Sequence, residues 1–149
     1  MKELKKNENY IFMGARIKPL LLSTETDGNL SVFEFNEVKG LEAPVHIHEY
    51  EDEIWRVVEG EITFYLEDQE IHAFSGDTIF VPRRKPHSFR CKTDTVKAIL
   101  LLTSTDFETV ITDVARPAAS ETELPNQVSK EQAEQLISSS KKNGITILK

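Results

Sequence analysis

Residues 45–68, VHIHEYEDEIWRVVEGEITFYLED, carry the pattern from which the fold is read. Two runs rich in valine, isoleucine and aromatic residues flank Glu59-Gly60, and two histidines stand two apart just before them. Such residues suit a pleated, half-buried surface, so these runs are strands. The same texture continues outward on both sides. LSVFEF (30–35) follows the turn Thr26-Asp27-Gly28-Asn29, and EIHAF (70–74), DTIFVP (77–82) and VKAILLLT (96–103) come later. FETVITDV (107–114) reads as one more strand. Glu59-Gly60, Glu67-Asp68-Gln69 and Ser75-Gly76-Asp77 read as hairpin turns. No helical period competes before residue 115, so the expectation is all-β, a sandwich or barrel.

Composition shifts at Arg116-Pro117. ARPAASETELPNQ (115–127) reads as a linker lying over the barrel. Ser129 then suits an N-cap, and Gln132, three residues on, completes a capping box. Ala133, Leu136 and Ile137 form a short apolar stripe, Lys141 and Lys142 suit the end of a helix, and Gly144 suits its stop. ITILK (145–149) is expected to add a short edge strand. The expected organisation is an N-terminal arm (1–10), a barrel (11–115), and a linker with one helix packed on it (116–149).

The chain has 149 residues, enough for one ordinary domain. With 39% hydrophobic and 29% charged residues it is neither a disordered nor a collagen-like composition. Twenty-five acidic against 18 basic residues give a net charge of −7, which opposes nucleic acid as a main partner. The longest apolar run, Ala98 to Leu102, falls far short of the roughly 20 residues that cross a bilayer, so no membrane partner is expected. Cys91 is the single cysteine and has no internal partner, and MKELKKNENYIF lacks the apolar stretch of a secretory signal. A reducing cytoplasm is the expected location.

Chemistry concentrates on the histidines. His46 and His48 are two apart in a strand, so both point to one face. Glu53 lies five residues on, across an acidic turn, and His87 comes from a distant strand after the Pro82–Pro86 turn. Three imidazoles and a carboxylate converging inside a barrel make a site for one divalent transition metal. Iron, manganese, nickel, copper, cobalt and zinc all accept such a set. Asp52 is the alternative carboxylate; Glu53 is preferred because the Ile54-Trp55 strand start fixes its side chain. Glu49 and Glu51 read as a solvated turn, and His72, which lies between the motifs, as structural or exposed.

The spacing around these residues resembles a known family. Gly40 to Gly60 reads G-x5-H-x-H-x4-E-x6-G and Gly76 to Cys91 reads G-x5-P-x-R-x2-H-x3-C. Together they resemble the two motifs of the cupin superfamily, with Arg84 where the pattern has glycine and Cys91 where it has asparagine. Neither position is a ligand in the family, but a glycine there usually serves a positive φ. The flanks YIFMGARIKPLLLSTETDGNLSVFEF and FETVITDVARPA are similar to those of quercetin 2,3-dioxygenase-like cupins. The resemblance implies a double-stranded β-helix, or jelly-roll barrel, holding metal through His46, His48, Glu53 and His87.

If Glu53 points inward, Trp55 and Val57 share its face, and Phe89 and Cys91 share that of His87. Phe33 and Phe35 form an apolar face of an earlier strand and serve either as pocket wall or as core. An aromatic cavity beside a metal suits a flat, largely apolar small molecule. The resemblance then implies an oxygen-dependent dioxygenase acting on a small phenolic substrate, with Glu53 as the catalytic base. The alternatives are a binding module without turnover, and a metal-dependent isomerase, which predicts a more polar pocket. Single-domain cupins pair through their sheets, and AILLL is apolar on both faces, so a homodimer is expected.

Overall fold

The computed structural model describes residues 3–148. Two antiparallel sheets face one another, as expected of a jelly roll. The seven-stranded sheet is built from β1 (Tyr10–Phe12), β2 (Ala15–Leu21), β3 (Ser31–Val38), β5 (Glu53–Glu59), β8 (Thr78–Val81), β10 (Thr95–Leu102) and β11 (Arg116–Pro117), in the order β11-β1-β2-β3-β10-β5-β8. The five-stranded sheet holds β4 (His46–His48), β6 (Glu61–Leu66), β7 (Gln69–Phe74), β9 (His87–Cys91) and β12 (Ile145–Ile147), in the order β12-β4-β9-β6-β7.

Alternation sets what fills the space between the sheets. In β3 the buried residues are Ser31, Phe33, Phe35 and Glu37; in β10 they are Val96, Ala98, Leu100 and Leu102; in β5 they are Glu53, Trp55 and Val57. Register lines these up in rows: Glu53–Leu102–Ser31, then Trp55–Leu100–Phe33, then Val57–Ala98–Phe35. A one-residue slip would turn every one of them outward, so the burial of this face pins the pairing.

Two expected hairpins are sheet-to-sheet crossings instead. β5 pairs with β10 and β8, while β6 pairs with β7 and β9, so Glu59-Gly60 carries the chain from one sheet to the other. Gly60 has φ +94°, and a Cβ there would sit 2.8 Å from the Thr95 carbonyl oxygen, so this corner needs glycine. Ser75-Gly76-Asp77 is likewise a crossing, from β7 to β8. Glu67-Asp68 is a true hairpin between β6 and β7.

FETVITDV is not a strand. Asp106–Val114 is helix α1, with Val110, Ile111 and Val114 buried. Phe107, Val110, Ile111 and Val114 recur at i, i+3, i+4 and i+7, a helical stripe that overrides the β-branched composition. The helix after the linker, α2 (Lys130–Lys142), begins as read: the Ser129 side chain accepts from the Gln132 amide, and Gln132 reaches back to Ser129. Gly144 follows it at φ +72°. The Ser139 hydroxyl donates to Asp113 at 2.7 Å, tying α2 to α1. β12 then pairs with β4, Ile145 opposite His48 and Ile147 opposite His46, forming the expected edge strand. Among the described residues no helix is long and apolar enough to cross a membrane.

Candidate metal centre

The two sheets meet over four side chains. β4 supplies His46 and His48, β9 supplies His87, paired in register with His46, and the first residue of β5 supplies Glu53 from the opposite sheet. One ligand atom from each lies within 4.8 Å of the others. His48, Glu53 and His87 are buried.

Each imidazole is held by its far nitrogen. Nδ1 of His46 donates to the Pro44 carbonyl at 2.9 Å, that of His87 to the Lys85 carbonyl at 2.9 Å, and that of His48 to Glu51 Oε1 at 3.1 Å. This tautomer leaves Nε2 of each ring as a lone pair aimed inward. Glu53 Oε2 lies 2.9 Å from His48 Nε2 and 3.0 Å from His87 Nε2. His48 Nε2 is buried without a well-angled hydrogen bond despite the short approach. Lone pairs converging on a carboxylate oxygen need a cation among them, and a divalent metal fits the donor set.

Without metal, protons supply that charge. Burial works to lower the His48 imidazole, but the close Glu53 carboxylate and the bond to Glu51 outweigh it and lift it to about 10. Burial lowers His46 to about 3, helped by the charges of His87 and His48. Burial works to raise Glu53, yet His48 and His87 hold it well below the ordinary carboxylate range.

Trp55 orients the carboxylate: its indole N–H donates to Glu53 Oε1 at 2.8 Å. A half-enclosed cavity opens beside the cluster, lined among others by Phe35, Trp55, Phe89, Phe107, His46 and Glu37. Phe33 and Val57 lie in the core beneath it, outside the lining. Trp55 meets Phe35 and Phe89 edge-on at 5.3 and 5.5 Å between ring centres.

Two acidic residues stand apart from the ligand set. Asp52 faces outward and binds the exposed Arg83 guanidinium at 3.1 Å, so it is no ligand. Glu49 is exposed and pairs with Arg84. Arg84 keeps the positive φ, +68°, that a glycine would supply. His72 is exposed beside the Thr63 hydroxyl. Glu51 is the correction: it is 1% exposed, no part of a solvated turn. Its Oε1 accepts from both His48 Nδ1 and the Phe107 amide at the start of α1, 2.9 Å away. Phe107 in turn packs edge-on against His48 at 5.2 Å. The sequence reading missed Glu51 and Phe107, and also the cavity wall formed by Leu136, Ser140, Ile145 and Ile147 from the C-terminal segment. The helical stripe at 107–114 was the available signal for Phe107.

The cupin domain model matches residues 34–104, a stretch that contains all four clustered side chains. Residues 34–104 are a cupin domain. Over 83 residues the chain is 34% identical to quercetin 2,3-dioxygenase of Bacillus subtilis (strain 168), covering 56% of this chain and 25% of that protein. The chain thus spans a quarter of that relative's length. Among solved structures, KdgF from Halomonas sp. matches this cupin with a TM-score of 0.55 at 22% identity, over 61% of this chain and 79% of that one. The cupin domain of Schizosaccharomyces pombe Cnp3 matches with a TM-score of 0.55 at 14% identity, over 64% and 68%. At these identities the structural likeness speaks for the cupin fold alone.

Proposed function

We propose that this chain is a metal-dependent dioxygenase acting on a small, flat phenolic substrate. The observation that carries the reading is a three-imidazole, one-carboxylate cluster opening onto a cavity walled by Phe35, Trp55, Phe89 and Phe107. Aromatic walls fit a planar ring and shed water as it enters. The similarity to quercetin 2,3-dioxygenase supports the same reaction class. An isomerase of sugars or keto acids needs a more polar cavity, and this lining runs against it.

His46, His48, Glu53 and His87 hold the metal, which when bound supplies a Lewis-acid contact for substrate oxygens. Glu53 is the base. Trp55 anchors its Oε1, leaving Oε2 to take the proton of a substrate hydroxyl presented at the cavity. Trp55 also offers the ring a face to lie against.

The proposal extends to assembly and location. On the outer face of the seven-stranded sheet Val32, Leu101, Ile54 and Phe80 align in register across four neighbouring strands, and Phe80 is 56% exposed. A second copy covering this row makes a homodimer. The arm, barrel and linker-helix organisation, a cytoplasmic location, a small-molecule partner and the lack of a nucleic-acid partner complete the reading.

An oxygen electrode tests the activity, with protein loaded separately with iron, manganese, nickel, copper or cobalt and offered a panel of catechols and flavonols. Uptake above the free-metal control supports the reading. No uptake in any combination moves the assignment to a binding module without turnover.

A further inference from the structure

The cavity wall carries a second carboxyl besides Glu53. Glu37 is the last inward residue of β3, opposite Ala15 of β2 and Val96 of β10, and is 7% exposed. Its carboxyl has no hydrogen-bond or ion-pair partner among the described residues, and it lines the same cavity as His46, Glu53 and His87. Along β10 its row is the third beyond that of Glu53, past Trp55–Leu100–Phe33 and Val57–Ala98–Phe35. The neighbouring Glu42 is satisfied, accepting from the Gly40 and Cys91 amides. Burial, reinforced by the Glu42 charge, pushes Glu37 up to about 8, so it stays protonated at neutral pH.

A buried carboxyl without a partner costs the fold stability. Apolar residues of like size would fill the position better, and the rest of that face of β3 is apolar apart from Ser31. A group that weakens the fold while facing a ligand cavity is explained by the ligand. We infer that Glu37 is a distal specificity residue, whose carboxylic acid hydrogen-bonds a hydroxyl or carbonyl oxygen at the substrate end remote from the metal ligands. The inference rests on the phenolic reading above and adds a second recognition point to it. A neutral acid both donates and accepts, so it suits an uncharged oxygen. An anionic tail is disfavoured beside Glu42.

Zinc-loaded protein, which does not turn over redox substrates, tests this by calorimetry. The probes are catechol, 3-hydroxyflavone, 3,4′-dihydroxyflavone and 3,7-dihydroxyflavone. Catechol and 3-hydroxyflavone both lack a hydroxyl remote from their chelating oxygens. Wild type is expected to favour one dihydroxyflavone over 3-hydroxyflavone by about 2- to 12-fold, the range of one net hydrogen bond. Glu37→Met should erase that preference, while Glu37→Gln should keep it. Thermal unfolding of the same samples should place Glu37→Met at or above wild type. A preference that survives Glu37→Met, or catechol binding with no flavonol binding, overturns the inference. If catechol itself fails to bind, the phenolic reading falls, and melting decides the role of Glu37. Glu37→Met melting well below wild type then marks a structural carboxyl and overturns the inference, while equal or higher melting upholds a ligand role toward another substrate.

Discussion

Glu51 joins His48 to a helix, and its replacement has consequences that can be worked out from two hydrogen bonds. Its Oε1 accepts from His48 Nδ1 at 3.1 Å and from the Phe107 amide at 2.9 Å, and its Oε2 is buried without a partner. Glu51→Ala strands two buried donors at about 1–3 kcal/mol each, or about 2–6 kcal/mol together, before any cavity cost. That is a large share of the ~5–15 kcal/mol by which a domain is stable. Glu51→Gln is the sharper perturbation. Its amide oxygen can take the place of Oε1 and keep both bonds, while the charge is lost. Carboxylates that orient a ligating histidine contribute about 10- to 100-fold in metal affinity. We therefore expect Glu51→Gln to fold, to melt somewhat lower because its amide N–H₂ gains no acceptor, and to bind zinc at least several-fold more weakly. Competition against a chromogenic chelator reads the affinity, and thermal melts with and without metal read the stability. Wild-type zinc affinity in Glu51→Gln would refute the claim that this carboxylate supports His48 as a ligand.

Other perturbations separate the remaining roles. His46→Ala, His48→Ala and His87→Ala should each largely abolish metal retention by elemental analysis, whereas His72→Ala should retain it; equal retention by all four would remove the site assignment. Glu53→Gln should keep part of the metal yet lose most oxygen uptake, because an amide coordinates weakly and accepts no proton; undiminished uptake would refute the base. Arg84→Gly should stabilise the protein by about 1 kcal/mol in denaturant unfolding, since a non-glycine residue in the left-handed region costs about 1–2 kcal/mol and its exposed pair with Glu49 contributes little. Leu101→Glu should convert the proposed dimer to a species near 17.0 kDa in light scattering, and a wild type already of that mass would contradict the dimer.

The shared face of His46 and His48 was legible because strand geometry acts over short spans, and the motif spacing added Glu53 and His87 to the cluster. The inward positions of Trp55, Phe89 and Cys91 followed from the same period. What escaped was non-local. Whether Glu59-Gly60 is a hairpin or a crossing depends on which sheet accepts β6, and a turn's own residues do not encode it. Glu51 looked solvated because three carboxylates surround it in sequence, and only the arrival of the Phe107 amide, 56 residues on, gives it an acceptor's work in the interior. Helix α1 was within reach, since its stripe at i, i+3, i+4 and i+7 outweighs its β-branched content.

β12 has a consequence for the sheet edge that it covers. On its other side β4 is tied to β9 by a single register pair, His46 opposite His87, so Ile145–Ile147 supplies most of the ladder along β4. The Leu148 amide extends that ladder to the Val45 carbonyl at 2.7 Å. Were these last residues to peel away, His46–His48 would become an open sheet edge, with free amides and carbonyls ready to template another chain. A chain cut after residue 144 would expose that edge while leaving the rest of both sheets in place. It should then gain turbidity through strand addition at the histidine edge, where the full chain stays clear.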